Sequence, residues 1–348
     1  MRKPKSGFAA CALALACACA LVAASACAPG RATRAEAGRV VSFDLQGHRG
    51  GRGLRPENTL AGFAHALAIG VTTLELDCGI TRDGVVVVSH DRALNPDHTR
   101  DAEGQFLETP GSLLRELTYA ELRQYDVGRM QPGSDYAARF PEQQPVDGER
   151  IPRLADVFAL VQKGDNREVR FNIETKIDPT QPDTTVTPEA FVPALIDVIR
   201  AADMESRTTI QSFDWRTLAL ARKLAPDIVT VALTDQQPGE DTMEVGQPGA
   251  SPWLGGFDVD DYGGSVPRTV QALGAGTWSP HARDLTPALV AEAQALGLVV
   301  VPWTVNDPKD MESVLALGVD GMISDRPDLL RSVLQSKGIA VPLPTPER

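Results

Sequence analysis

Strand-like and helix-like patterns alternate along most of this chain, an order that few architectures accept. Apolar runs near residues 40–45, 73–77, 171–174, 208–213, 228–233, 276–279, 298–304 and 320–323 read as strands. The segments between them carry helix signals. Leu60, Phe63, Ala64 and Leu67 share one face ahead of a stop at Gly70. Thr286 with Pro287 forms an N-cap and first-turn pair, and Gly297 follows the last turn. Thr187-Pro188, Asp307-Pro308 and Pro327-Asp328 open further helices. Runs such as Val299-Val300-Val301 lack the alternation of a half-exposed strand and argue for a parallel sheet buried on both faces. Eight strand–helix units fit a (β/α)8 barrel, the TIM-barrel class, better than an open sheet. No glycine-rich dinucleotide fingerprint follows the first strand, which argues against a doubly wound fold.

Two stretches interrupt the alternation. After the turn dipeptide Asp83-Gly84, residues 85–88 read as an extra hairpin strand. Residues 92–150 are rich in Pro, Gly, Asp and Arg and hold one clear short helix, opened by the capping box Thr118/Glu121. We read them as a loop and helical insertion after the second strand. Residues 234–266 form a second excursion. The barrel is expected over 43–335, with a tail at 336–348.

The N-terminus has the marks of export. Arg2, Lys3 and Lys5 precede an apolar run that ends at Ala24-Ser25-Ala26, an A-x-A-like cleavage site, giving a signal peptide over 1–26 and a linker over 27–42. Cys27 follows directly, so a lipid anchor at Cys27 and free secretion are both open, and the protein is expected to be periplasmic or tied to the cell envelope. A retained membrane anchor ranks third. Of five cysteines, Cys11, Cys17 and Cys19 lie in the signal. Cys78 alone remains in the barrel, where it is expected to be a small buried apolar residue. The formal net charge of −12 argues against nucleic-acid partners.

In a barrel of this class the chemistry lies at the C-terminal ends of the strands. Those ends supply His48, Arg49, Glu75, Asp77, His90, Asp91, Glu174, Lys176, Gln211, Trp303, Asn306 and Asp325. In Phe171-Asn172-Ile173-Glu174-Thr175-Lys176, period-2 geometry sets Asn172, Glu174 and Lys176 on one face. Taken alone, that is an ordinary ion pair at a strand end. Glu75 and Asp77 also share a face, and with Glu174 they make an all-oxygen set suited to one hard divalent cation, Mg2+ or Ca2+. Zinc fits less well, because there is no His-x-x-x-His helix and no Cys pair. Two histidines on neighbouring loops, His48 and His90, suit acid/base work. Arg49 and Lys176 suit a phosphate.

Taken together, His48-Arg49-Gly50, Pro56-Glu57-Asn58-Thr59, Glu75-Leu76-Asp77 and His90-Asp91 resemble the signature of the glycerophosphodiester phosphodiesterase family. Ile173-Glu174-Thr175-Lys176, Gln211-Ser212-Phe213, Trp303-Thr304-Val305-Asn306 and Ser324-Asp325-Arg326-Pro327 are similar to its later blocks. Cys78 and Ser324 are mild departures at positions without an assigned role. The resemblance implies a barrel with a divalent metal on Glu75, Asp77 and Glu174. It implies His48 and His90 as the acid/base pair, and Arg49, Lys176, Gln211 and Trp303 toward the phosphate and substrate. The expected reaction is hydrolysis of a small glycerophosphodiester to sn-glycerol 3-phosphate and an alcohol. One rival is a phospholipase-D-like or phosphatidylinositol-specific enzyme acting on intact lipid, which calls for an apolar docking insertion. Another is a non-catalytic anchored binding protein. The insertions are polar, and none of the implied residues is missing. Lys176 is expected to meet substrate and not Glu174.

Overall fold

The computed structural model describes residues 43–346. The signal peptide and linker read at 1–42, with Cys27, lie outside the described residues. The chain begins with β1 (Asp44–Gly47), α1 (Leu60–Ile69), β2 (Thr73–Ile80) and the short β3 (Val86–Val88). An insertion follows with α2 (Tyr119–Leu122) and α3 (Asp135–Arg139). Regular alternation then resumes with α4 (Leu154–Lys163), β4 (Arg170–Thr175), α5 (Pro188–Ala201), β5 (Thr208–Ser212), α6 (Trp215–Leu224) and β6 (Val229–Thr234). After the second excursion come α7 (Val266–Leu273), β7 (Thr277–Pro280), α8 (Pro287–Ala295) and β8 (Val299–Val300). The chain ends with α9 (Pro308–Ala316), β9 (Gly321–Ser324) and α10 (Pro327–Ser336).

Eight strands run parallel in the order β8-β7-β6-β5-β4-β2-β1-β9, and β3 pairs antiparallel with β2. The ends β8 and β9 meet through backbone hydrogen bonds. Asp320 N–H donates to Val300 at 2.9 Å, and Ile323 N–H donates to Pro302 at 2.9 Å. This is the expected (β/α)8 barrel. One strand is shorter than its apolar run suggests. Residues 298–304 pair regularly only at Val299–Val300, because Pro302 has no N–H to give the ladder. The insertion also holds a second helix, α3, capped by the Ser134 side chain accepting from Ala137 N–H.

The apolar core lies between strands and helices, where Leu74, Leu76, Phe171, Ile173 and Ile210 are fully buried. Cys78 belongs to it at 0% exposure. The alternate residues build a different interior. Asn172 Nδ2 donates to Gln46 at 3.0 Å and to Gln211 at 2.8 Å, and Gln211 Nε2 donates to Glu75 at 2.6 Å. Gln46 and Asn172 are on β1 and β4, which are not neighbours, so their bond crosses the barrel interior. A continuous apolar strand is found at β8, while β6 and β7 interleave Thr and Ser. In β1, β2, β4 and β5 the inner face is a hydrogen-bonded polar column, tolerable in the dry interior because its members are partnered. It ends at the carboxylates of the site.

Candidate active site

Parallel register aligns the three carboxylates. Asp77 pairs with Glu174 across β2 and β4, and Glu174 with Gln211 across β4 and β5. Glu75, Asp77 and Glu174 each offer an oxygen within 4.8 Å of the others, and all three are buried. Such crowding shifts their protonation. Burial and the neighbouring Asp77 charge push the Glu75 carboxyl well above its usual range. Burial also raises Glu174, to about 7, against the opposing pull of Lys176. Burial would raise Asp77 too, but Arg49, His90 and Lys176 outweigh it and hold that group low. Three hard oxygens with unbalanced negative charge suit a divalent cation. The residues fit one.

The second sphere is ordered. Arg49 N–H donates to Glu75 Oε2 at 2.8 Å, Gln211 Nε2 holds Glu75 Oε1, and Asn58 Nδ2 donates to Asp77 Oδ2 at 2.9 Å. Gln211 thus corrects an expectation. At 1% exposure, with its amide oxygen accepting from Asn172 and its amide nitrogen donating to Glu75, it is placed to orient Glu75. Lys176 corrects another. Its Nζ donates to Glu174 Oε1 at 2.8 Å and lies 3.9 Å from Asp77 Oδ1. Two residues apart on one face, the ammonium and the carboxylate are within easy reach, and the pair relieves part of the cluster's repulsion.

His48 and Arg49 enter the site from a tight turn after β1. Arg49 has φ 50° and Gly50 φ 80°. A Cβ on Gly50 would come within 2.9 Å of the Gly62 backbone, so glycine lets this turn pack against α1. His48 Nδ1 is 2.6 Å from Asp325 Oδ1, and its Nε2 is 4.0 Å from Glu75. Asp325 also accepts from Arg52 Nε at 2.6 Å and Asn306 Nδ2 at 2.7 Å. His90 repeats the arrangement, with Nδ1 2.9 Å from Asp91 Oδ1. Burial and then Arg52 lower the His48 pKa. Burial, Arg49 and Lys176 bring His90 down to about 4. Both imidazoles are therefore neutral at pH 7. Asp325 and Asp91 are ionised, so each Nδ1 carries the proton and each Nε2 keeps a free lone pair.

Arg49 is buried at 8% exposure, with Nη1 donating to Glu57 at 2.9 Å and Nε 3.3 Å from Asp77 without a hydrogen bond. Glu57 in turn accepts from the Tyr136 hydroxyl of α3. The insertion therefore reaches the site through a residue that composition marked only as loop, and no signal short of the Ser134 cap pointed to it. Trp303 lines the cleft beside the cluster.

Two cavities open here. One, of about 1010 Å³, is lined by Lys176, Phe213, Trp253 and Trp303 among others. The second, of about 610 Å³, is lined by Arg49, Arg52, His98 and Arg139 among others. They share a wall made of His90, Asp91, Asn95, Asp235, Glu240 and Trp303.

Hard oxygen ligands, neutral histidines and buried cations at one barrel mouth define an enzyme of the phosphoric diester hydrolase class. The sequence profile of the glycerophosphoryl diester phosphodiesterase family matches residues 48–329, and the chain belongs to that family. A glycerophosphodiester phosphodiesterase of Caldanaerobacter subterraneus subsp. tengcongensis is 29% identical over 84% of this chain and 97% of its own. A Silicibacter pomeroyi crystal structure named for the family has 37% identity and a TM-score of 0.76, covering 85% of this chain and 94% of that one. An Oleispira antarctica phosphodiesterase, solved with its product sn-glycerol-3-phosphate, shares the fold at 22% identity and a TM-score of 0.61, covering 83% and 96%.

Proposed function

We propose that this chain hydrolyses glycerophosphodiesters to sn-glycerol 3-phosphate and an alcohol, with Mg2+ or Ca2+ held by Glu75, Asp77 and Glu174. The observation that carries the reading is the buried carboxylate trio beside two carboxylate-backed histidines. A bound cation would neutralise phosphoryl oxygens and orient the reacting groups. Arg49, held by Glu57, offers a fixed positive charge to the phosphate. Lys176 supplies a second. One imidazole Nε2 takes the proton from the attacking oxygen, either of water or of the substrate's own glycerol hydroxyl. A new P–O bond forms, the P–O bond to the alcohol breaks, and the other imidazole protonates the departing oxygen. Where the glycerol hydroxyl attacks, water then adds to the cyclic phosphate and breaks its ring P–O bond to give sn-glycerol 3-phosphate. A phosphodiester anion bound nearby raises the pKa of that imidazole and favours its charged form.

The test is turnover of glycerophosphocholine and of phosphatidylcholine, each with chelator, Mg2+ or Ca2+. Metal-restored activity on glycerophosphocholine alone is expected. Full activity after chelation, with no metal bound, would overturn the metal assignment. Activity on the intact lipid would favour the phospholipase-D-like reading. Against that reading, the four exposed large apolar side chains among the described residues, Leu224, Val229, Val245 and Leu343, line neither cavity. Residues 1–26 support an exported enzyme, which N-terminal sequencing of the mature protein would test.

Asp325 sets the His48 tautomer in this scheme. Asp325→Asn is expected to lower kcat at least about tenfold in saturating metal, because a carboxamide can turn its N–H toward Nδ1 and move the ring proton to Nε2. Unchanged kcat would remove that role.

A further inference from the structure

The larger cleft has two features that hydrolysis of the phosphate does not use. Its volume, about 1010 Å³, is at the upper end of small-ligand sites. The first feature is aromatic. Phe213 packs edge-to-face on Trp303 at 5.4 Å and on Trp253 at 6.3 Å between centroids, and all three rings line the cleft. The second is unbalanced charge. Of the cleft's ionisable groups, Lys176 is matched by Glu174 at 2.8 Å, Arg92 by Asp178 at 2.6 Å and His90 by Asp91 at 2.9 Å. Asp235, Glu240 and Asp241 line the same cleft, and none of them makes an ion pair with Lys or Arg among the described residues. Asp235 is only 7% exposed and accepts one backbone hydrogen bond, from Gln237 at 2.7 Å. A buried carboxylate without a counter-charge is costly until a cation compensates it.

Asp235 also lies beside His281 and Asp284, a grouping that could hold a metal ion. Both Asp284 oxygens, however, are engaged by Gln236 N–H and the Gln237 amide, and His281 Nδ1 accepts from Arg283 N–H. The trio is used within its own loops. Asp235 and Glu240 also border the smaller cavity, but there Arg52, Arg139 and Arg283 bring positive charge, and with Asn95 and Gln237 they suit the hydroxyls of a polyol. Asp241, Phe213 and Trp253 line the larger cleft alone. The cavities meet at His90, beside the carboxylate cluster. A phosphodiester held there would send one arm into each.

We infer that the larger cleft is the subsite for the alcohol arm of the substrate and selects an alcohol bearing an ammonium group. Trp253 and Trp303 would supply aromatic contacts, and Asp235, Glu240 and Asp241 the compensating charge. The inference rests on the hydrolytic reading above and adds the class of alcohol released. A neutral alcohol gains neither contact, and an anionic one is repelled.

The experiment compares kcat/KM for glycerophosphocholine, glycerophosphoethanolamine and glycerophosphoglycerol on the metal-loaded enzyme. An ammonium substrate is expected to lead the glycerol one by roughly 5- to 30-fold, the size of a cation–aromatic contact with nearby carboxylates. The lead should shrink as ionic strength rises, since Glu240 and Asp241 are exposed. Trp253→Ala and the double variant Glu240→Gln/Asp241→Asn should each bring the ratio toward one. The amide at 241 retains the oxygen that accepts from Met243 and Glu244 N–H, which keeps that loop capped. A choline lead without an ethanolamine lead assigns selection to the rings, and equal leads assign it to the carboxylates. Equal kcat/KM on all three substrates overturns the inference and leaves the hydrolytic reading intact. No turnover of any of them, with metal bound, overturns that reading itself.

Discussion

His90→Ala is expected to lower kcat on glycerophosphocholine by roughly 100- to 10,000-fold in saturating metal, and His48→Ala to do the same. Neither change should release the cation, because the carboxylates that would hold it are on other residues. The reason for so large a loss is geometric. Each ring is locked through Nδ1 by an ionised carboxylate, Asp325 at 2.6 Å or Asp91 at 2.9 Å, and presents an unprotonated Nε2 to the site. Alanine removes the proton acceptor, while the partner carboxylates keep their other donors, Arg52 and Asn306 on Asp325 and Asn95 on Asp91. The pH dependence separates this role from a structural one. His90 falls to about 4 in its surroundings, so in the free enzyme it stays neutral down to mildly acidic pH. Loss of kcat/KM on acidification through pH 7 should therefore follow the carboxylate cluster and not His90. Steady-state kinetics on both single variants, with metal content measured alongside, checks the prediction. Near-normal turnover in both would remove the acid/base assignment.

Sequence made the barrel legible because its signals are local. Caps at Thr59, Thr286 and Asp307 and glycine stops at Gly70 and Gly297 mark each unit without knowledge of its neighbours. The carboxylate trio was legible for a similar reason. Period-2 spacing joins Glu75 to Asp77, and the order of strands brings Glu174 beside them. Contacts set by folding at long range were not legible. Gln211 has the look of a substrate amide at a strand end, and only the register of β5 against β4 and β2 sends its side chain to Glu75. Tyr136 lies 79 residues from the Glu57 that it meets, inside an insertion with no periodic pattern. Asp325 closes on His48 across 277 residues, through the joining of β9 to β1. For Lys176 only the exclusion of Glu174 as a partner was wrong, and that error is local. Its pairing with Glu174 was visible in the spacing, and the expectation of a substrate phosphate set it aside.

That pairing changes what the metal site should do with pH. Glu174 has a pKa of about 7 because burial outweighs the favourable Lys176 contact, and burial with the Asp77 charge pushes Glu75 well above its usual range. Near neutrality, without a cation, the cluster holds protons that a cation must displace. Apparent affinity for Mg2+ or Ca2+ is thus expected to rise by up to about tenfold per pH unit for each proton displaced, and to level off above the highest carboxyl pKa. Calorimetry in buffers of different ionisation enthalpy should detect proton release. Glu174→Gln replaces an anionic carboxylate by a neutral amide, weakening the ligand and removing the group that titrates near 7. Its affinity should fall by more than the roughly 10- to 100-fold that loss of an outer-sphere partner costs, and the pH slope around 7 should flatten. Lys176→Ala keeps every ligand but removes the positive charge 2.8 Å from Glu174, so its carboxyl should titrate higher and the affinity curve should move to higher pH. At high pH the same variant should bind metal at least as well as the unaltered protein, because no ammonium then competes for the carboxylate, while turnover stays low for want of the phosphate contact. Metal affinity in Glu174→Gln that matches the unaltered protein at every pH would show that the cation does not use this carboxylate.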